Sequence, residues 1–224
     1  MTPVRFYPAG DSALVAEFGK EIEETVNNRV HGMARWLQEQ SIPGVLEVLP
    51  TFRSLMVCYD PLRISYGKLV RRLARCPEDA GAALAGEKQI LEVPCCYDGP
   101  DLQSMEELTG LSREAIIQIH SSVDYKIYMM GFLPGFVYLG GLDPRICVPR
   151  LQTPRTRIEP GAVGIGGSQT GVYPVASPGG WRILGHTPLK FYDPARANPI
   201  LCKAGMYLRF VPISRSDYER QAGR

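Results

Sequence analysis

Residues 131–188 read GFLPGFVYLGGLDPRICVPRLQTPRTRIEPGAVGIGGSQTGVYPVASPGGWRILGHTP. This Gly/Pro block holds 12 Gly and 8 Pro. Glycine costs about 1 kcal/mol and proline about 3 kcal/mol in a helix interior, so a long helix is excluded. The block therefore predicts strands and tight turns that hold aromatic and polar side chains in a pocket or a docking groove.

Strand patterns on both sides of the block extend this prediction to the second half of the chain. Alternating apolar residues predict strands near residues 91–95, 125–129 and 206–210, with two short helices between the first two. Ser112 is expected to cap the second of these helices. Many short strands separated by turn signals are typical of a β-barrel or sandwich. We expect helices only near the start of this half and a polar tail at its end.

Residues 1–85 carry a different pattern. Alternation at residues 14–18 and apolar runs at 45–49 and 55–59 predict strands, whereas residues 22–37 and 65–73 show helical spacing. The predicted fold class is thus an α+β N-terminal domain, with an antiparallel sheet and helices on one face, followed by a mainly-β barrel domain. We expect the domains to span residues 1–85 and 86–224, with the boundary in the small residues near 85.

Composition limits the class of function. The 224 residues carry a formal net charge of +2, which is too small to indicate nucleic-acid binding, and we interpret Arg71, Arg72 and Arg75 as the solvated side of one helix. No apolar stretch approaches the roughly 20 residues that span a bilayer, and no signal-peptide core is present, so we expect a cytoplasmic protein with no membrane partner. The 6 cysteines form no CxxC pair and predict reduced thiols.

Several specific motifs are absent from the block. The glycine run of residues 161–171 lacks the Lys-Ser/Thr of a phosphate-binding loop, so its glycines fit bulges and close strand crossings or, as the alternative, ligand approach. Ser168 lacks the second glycine of a nucleophile elbow. No His, Cys or carboxylate spacing indicates a metal site. His31 and His120 fall on helices and are interpreted as structural, His120 near a helix end where the dipole favours a charged imidazole.

Cationic and aromatic side chains are the remaining candidates for chemistry. Arg150, Arg155 and Arg157 suit a carboxylate or phosphate ligand, although a solvated loop would show the same spacing. His186 lies on a turn and could contact a ligand or a partner. These four side chains are our candidate catalytic residues. The aromatic residues suit a buried core or a binding face equally well. The candidate substrate- or partner-binding residues are Phe132, Pro134, Phe136, Tyr138, Gly166, Gly167, Ser168, Gln169, Thr170, Tyr173, Ser177, Trp181 and Thr187.

Three segments of the block resemble one known family. YMMGFLPGFVYLGGLDPR (128–145), PRLQTPRTRIEPGAVGIGGSQTGVYP (149–174) and SPGGWRILGHTP (177–188) resemble the B subunit of bacterial 5-oxoprolinase, a family also called allophanate hydrolase subunit 1 or Kip-type kinase inhibitor. With weaker motifs in the first half, the resemblance spans nearly the full chain. It implies a small α/β domain followed by a cyclophilin-like barrel.

The resemblance also implies a function that depends on partners. Family members work with a C-subunit homologue and an A subunit to hydrolyse 5-oxo-L-proline to L-glutamate, which implies ATP at the level of the complex. One branch instead binds and inhibits a histidine kinase, and a related module forms half of a biotin-dependent amide or urea carboxyltransferase. We expect this chain to be inactive alone. Whether it binds ATP itself, and whether it forms a homo-oligomer, stay open.

Two positions depart from the family pattern. Glu159 lies where the family has an apolar loop, and His186 lies where many members carry arginine. Because arginine stays charged while histidine titrates near neutrality, the resemblance leaves the anchoring of an anion at position 186 open.

Overall fold

A computed structural model describes residues 3–81 and 88–223 of the chain. The elements group into two units that divide between residues 87 and 88. The domain boundary predicted near residue 85 falls outside the described residues.

The N-terminal unit is an antiparallel sheet with helices on one face. Its strands lie in the order β1-β2-β4-β3. Leu14 of β2 and Val57 of β4 are fully buried and share a core with Val30 of α1 and Leu69 of α2. This confirms the predicted architecture of the first half. The elements are β1 (Arg5–Pro8), β2 (Ala13–Glu17), α1 (Glu24–Gln40), β3 (Val45–Pro50), β4 (Ser54–Tyr59) and α2 (Tyr66–Leu73).

The second unit, called the barrel unit, contains a sheet in the order β12-β9-β10-β7-β6-β13-β5, and β8 pairs with β11 in a separate ribbon. β13 pairs with β5 in parallel and with β6 antiparallel. Ser112 caps α4 by accepting from Ala115 N, as expected. The elements are β5 (Ile90–Cys95), α3 (Leu102–Thr109), α4 (Arg113–Ser121), β6 (Asp124–Met130), β7 (Val137–Gly140), a 3₁₀ turn (Pro144–Ile146), β8 (Arg155–Ile158), β9 (Ala162–Gly166), β10 (Gln169–Val172), β11 (Ser177–Gly179), β12 (Arg182–His186), β13 (Tyr207–Pro212) and α5 (Arg215–Ala222).

The barrel closes where its two edge strands meet, at a contact that we call the barrel seam. Cys96, next to β5, and His186 of β12 exchange two backbone hydrogen bonds of 2.9 Å. A Cβ atom on Gly185 would overlap the carbonyl oxygen of Cys96, so the close approach requires glycine. The predicted barrel is confirmed as a nearly closed mixed sheet.

The expectation that helices occur only near the start of this half is wrong, because the polar residues after the last strand form α5. Ser214 caps this helix by accepting from Asp217 N at 3.1 Å, and Arg215 pairs with Glu219 at 2.9 Å. None of the α5 residues is buried. The helix therefore lacks the apolar stripe that signals a helix in a sequence, and its cap and ion pairs stabilise it instead.

Candidate functional site

The loop between β6 and β7 exposes an aromatic ring through a strained turn. Leu133 N donates to Gly131 O at 2.9 Å across Phe132, whose φ is 70°. This is a γ-turn, and a bulky residue in that conformation is strained by about 1–3 kcal/mol. Phe136 N then donates to Leu133 O at 3.0 Å around the exposed Pro134. The two turns hold Phe132 outward, with 63% of its surface exposed.

Behind this loop, four rings form what we call the aromatic cluster: Phe136, Tyr138, Tyr173 and Trp181. The Phe136 ring centroid lies 4.9 Å from that of Tyr138, 5.3 Å from that of Tyr173 and 5.5 Å from that of Trp181. Phe136, Tyr173 and Trp181 are buried, whereas Tyr138 is half-buried. The cluster is thus a core at its base and, with Phe132 edge-on at 5.6 Å from Phe136, an exposed surface at its rim.

Arg150 supplies the cation of this surface. Its guanidinium carbon lies 5.9 Å from the Trp181 ring centroid, within cation–π range. Burial raises the pKa of the Tyr138 hydroxyl, and the Arg150 charge opposes that rise. Arg150 forms no ion pair or side-chain hydrogen bond within the described residues. We call Phe132, Tyr138 and Arg150 the site face, which offers two rings and one available guanidinium, and the buried Trp181 ring packs against Tyr138 and Arg150.

Arg155, by contrast, is occupied by a carboxylate of this chain. Its Nη2 donates to Asp101 Oδ1 at 2.7 Å, and Asp101 Oδ2 accepts from Ile183 N at 2.6 Å. The Asp101 side chain is 8% exposed. Because a buried carboxylate is costly without partners, this pair fixes α3 to β8 and β12.

Arg157 and His186 lie in a second, separate polar group near the barrel seam. Arg157 Nε donates to Glu159 Oε1 at 2.6 Å, and this bond lowers the pKa of Glu159, with a smaller contribution from the charge of His186. His186 Nδ1 lies 3.7 Å from Asp98 Oδ1. The two positions that depart from the family pattern, 159 and 186, therefore act on each other electrostatically.

Asp98 connects this group to the C-terminal helix. Arg215 Nη1 donates to Asp98 Oδ2 at 2.5 Å. Burial favours the neutral acid, but the Arg215 hydrogen bond and the His186 charge outweigh it and hold the pKa of Asp98 below its usual value. His186 thus has carboxylate neighbours in place of a free anion site.

The glycine run forms a hairpin. β9 pairs with β10 through Gly166 and Gln169, and the two exposed residues Gly167 and Ser168 form the turn. A Cβ atom on Gly166 would overlap the Trp181 indole, so this glycine provides space for the aromatic cluster. The contact of Gly166 with the indole agrees with the alternative in which the glycines allow close approach of neighbouring groups. Ser168 lies on the turn of the hairpin.

Thr170, predicted to bind a ligand, instead lies in a buried network that includes His120. Thr170 Oγ1 donates to Gly164 O at 3.0 Å, so it accepts from His120 Nε2 at 2.9 Å. His120 Nδ1 then accepts from the Tyr97 hydroxyl at 2.7 Å. Burial lowers the pKa of His120 to about 3. The expected dipole-stabilised imidazolium is therefore replaced by a neutral imidazole.

Two other predicted binding residues also point into the fold. Thr187 is 3% exposed, and its Oγ1 accepts from Leu189 N at 3.3 Å. Ser177 is 7% exposed, and its Oγ has no hydrogen-bond partner in the part of the chain that the structure describes. The side chains of Thr170, Ser177 and Thr187 are therefore all buried in the fold.

Asp101, Asp98 and Arg215 were not among the predicted residues. Asp101 precedes α3 and reads as an ordinary helix cap, yet its carboxylate reaches Arg155, which lies 54 residues away. No local spacing signals such a pair. Among residues 3–81 and 88–223, no group of three His, Cys, Asp or Glu side chains could hold a metal ion, and no helix is long and apolar enough to cross a membrane.

Comparison with known proteins places the chain in a family. Residues 4–202 match the family described as carboxyltransferase domain, subdomain C and D. The B subunit of 5-oxoprolinase from Bacillus subtilis (strain 168) is 42% identical, with 93% of this chain and 92% of that protein covered. The B subunit of 5-oxoprolinase from Escherichia coli O157:H7 is 39% identical, with coverage of 95% and 97%.

A solved structure shares both sequence and fold. The crystal structure of TTHA0988 is 35% identical and superposes with a TM-score of 0.81 over 95% of this chain, which spans 40% of the TTHA0988 chain. The identities to the two B subunits extend over nearly the whole chain and over both of its units, so the family of the chain can be assigned. The chain belongs to the family of 5-oxoprolinase B subunits, which are carboxyltransferase-type domains.

Proposed function

We propose that this chain is a cytoplasmic component of a 5-oxoprolinase complex, which opens 5-oxoproline to glutamate with hydrolysis of ATP. The observation that carries the proposal is the near-complete correspondence with proteins named as B subunits of 5-oxoprolinase, at 42% and 39% identity. The partners that we propose are a C-subunit homologue and an A subunit.

Two features of the site face favour a functional site that another protein completes. Phe132 holds an exposed ring in a strained turn, and exposed aromatic residues mark interfaces. Arg150 lies beside the aromatic cluster with no carboxylate partner in the described residues. A face with rings and one cation, but no general base beside them, is suited to positioning and charge stabilisation. For this reason we propose that the chain is inactive alone.

The chemistry of the lactam gives Arg150 a specific role. In the proposed reaction, the lactam oxygen attacks the γ-phosphorus of ATP, an O–P bond forms and ADP leaves. Water then adds to the activated carbon and the ring C–N bond breaks, with a proton going to the nitrogen, which leaves an acyl phosphate and a free amine. A second water hydrolyses the acyl phosphate to the carboxylate and inorganic phosphate. The phosphoryl oxygens carry the negative charge, which a guanidinium fork stabilises. ATP itself is proposed at the level of the complex.

Reconstitution with both partner subunits tests the proposal. We expect 5-oxoproline-dependent ATP hydrolysis in the complex and none with this chain alone. Arg150→Ala should lower that rate by about 10²-fold, the loss typical of removing one transition-state donor. Arg145→Ala is the matched control, because Arg145 is exposed and already paired with Asp143.

The exposed ring is tested in the same system. Phe132→Asn should weaken assembly with the partner subunits, measured by sedimentation, while Leu62→Asn, at a position 95% exposed, should not.

Normal turnover by Arg150→Ala would refute the role of the guanidinium. Tight binding to a histidine kinase without 5-oxoproline-dependent ATP hydrolysis would favour the kinase-inhibitor branch instead.

A further inference from the structure

A hollow on the N-terminal unit, with a volume of about 400 Å³, is lined by cations. We call it the basic hollow, and its described lining contains no Asp or Glu. All of its Lys and Arg residues are exposed. Its volume is in the range of small-molecule pockets. The lining residues are Ile42, Pro43, Arg63, Ile64, Lys68, Arg71, Arg72 and Arg75.

Backbone hydrogen bonds fix the walls of the basic hollow. Asp60 N donates to Gly44 O at 2.8 Å, which ties the loop after α1 to the loop before α2. Arg63 N and Ile64 N both donate to Asp60 O at 3.0 Å. Leu69 of α2 is fully buried in the core. The cationic side chains therefore extend from a frame whose backbone is held in place.

The cations of the basic hollow have no anionic partners in the described part of the chain. None of the five forms an ion pair or a side-chain hydrogen bond there. Elsewhere arginines do pair, as Arg53 does with Glu17 at 2.7 Å and Arg209 with Asp124 at 2.7 Å. An adjoining hollow that shares Arg63 is lined by one acidic residue, Glu47. The basic hollow thus carries uncompensated positive charge.

Helix stability does not account for this arrangement. Lys68, Arg71 and Arg72 are spaced at i+3 and i+4 on α2, so they repel one another, and Arg75 follows two residues after the helix ends. Lys68 lies in the first turn of α2, where the helix dipole disfavours a cation. The dipole favours only Arg71 and Arg72, in the last turn. A bound anion would remove the repulsion.

We propose that the basic hollow is a binding site for an oligophosphate. Four of its five cations are arginines, whose planar forks bind phosphate oxygens bidentately. Among the described lining residues, no aromatic side chain is present to stack a base and no carboxylate is present to hold a metal ion. The phosphate chain itself is therefore the recognised group, either as free oligophosphate or within a nucleotide. This site is independent of the 5-oxoprolinase activity proposed above.

Calorimetric titration of the full chain with inorganic triphosphate tests the proposal. Arg71→Gln/Arg72→Gln/Arg75→Gln should weaken triphosphate binding by at least about tenfold, the effect of losing charge-assisted hydrogen bonds. The control Arg5→Gln/Lys20→Gln/Lys203→Gln removes the same charge at other exposed positions and should change affinity by less than about twofold. Arg63→Gln, a single change outside α2, should also weaken triphosphate binding. It provides a second measurement if the triple variant does not fold.

Two further ligands distinguish the possible sources of the anion. ATP should bind to the native chain as tightly as triphosphate does, and the Arg71→Gln/Arg72→Gln/Arg75→Gln variant should bind ATP more weakly. A glutamate-rich peptide should bind more weakly than triphosphate. Three results would overturn the proposal. The first is an equal loss of triphosphate affinity in the Arg71/Arg72/Arg75 variant and in the control variant, and the second is unchanged ATP affinity in the Arg71/Arg72/Arg75 variant. The third is tighter binding of the peptide than of triphosphate.

Discussion

At the residue scale, His120 shows how burial decides a charge. The imidazole is 0% exposed, and both of its nitrogens are engaged, Nε2 with Thr170 and Nδ1 with Tyr97. Protonation would place a hydrogen on Nδ1, which accepts the Tyr97 hydroxyl proton, and a charge inside the barrel. Burial therefore lowers the pKa of His120 to about 3.

This pKa predicts acid sensitivity of the barrel unit. In the unfolded chain a histidine protonates near 6.5, whereas folded His120 does so only near 3. Between these values the unfolded state binds the extra proton, so stability is complete above about pH 6.5 and is lost as the pH falls. We expect about 2 kcal/mol of unfolding free energy to be lost from pH 7 to pH 5, measured by denaturant titration.

His120→Phe is the control for this prediction. The ring should fit beside Phe210, whose centroid lies 4.6 Å from that of His120, but it cannot titrate. The variant should be less stable at pH 7, because Tyr97 and Thr170 lose a partner. All other ionisable groups are shared by the two proteins, so their contributions cancel in the comparison. An identical pH dependence in both proteins would contradict the assignment.

At the scale of elements, α2 combines a weak cap with repelling charges. Ser65 is at the N-cap position but its side chain makes no capping bond, and Lys68 occupies the third helical position. A carboxylate at that position forms a capping box with an N-cap serine and favours the dipole.

Lys68→Glu should therefore stabilise the N-terminal unit by about 1 kcal/mol, since it adds a capping box and attracts Arg71 and Arg72. Chemical denaturation monitored by circular dichroism measures the change. Lys20→Glu, an exposed position outside the helices, should leave stability unchanged. A loss of stability in Lys68→Glu would show that the cap cannot form.

The elements that sequence predicts well are those with local signals. Alternation at Leu14 and Val57 marks strands because one face of the sheet is buried, and Ser112 marks a helix start because its hydroxyl caps the next turn. α5 escapes prediction because it buries nothing. The contact of Thr170 with His120, 50 residues earlier, was not predicted, because a single sequence does not reveal such pairs. Likewise, the block indicated Arg150, Arg155 and Arg157 alike, and only the contacts in the structure, Arg155 with Asp101 and Arg157 with Glu159, distinguish Arg150, which has no ion pair within the described residues.

At the scale of the whole molecule, closure of the barrel depends on the barrel seam. Gly185→Ala should destabilise the barrel unit by about 3 kcal/mol, because the new methyl group overlaps the carbonyl of Cys96 in a closely packed seam. Thermal unfolding followed by tryptophan fluorescence measures this, since Trp181 lies in the same unit. Gly180→Ala is the matched control, because its nearest atoms lie at an ordinary 3.7 Å. Equal stability of both variants would show that the seam tolerates opening.

The pairing of β5 with β13 also sets the order of events during synthesis. Ile90 of β5 is in register with Tyr207 of β13, so the first strand of the barrel has its parallel partner far later in the chain. Contacts this distant in sequence form slowly, and chains fold from the N-terminus as they emerge. The N-terminal unit pairs its strands within positions 5–59, so it folds while the ribosome is still translating the barrel. β5 then lacks its parallel partner until β13 has been made, so we expect the barrel unit to form only after nearly the whole chain has been synthesised.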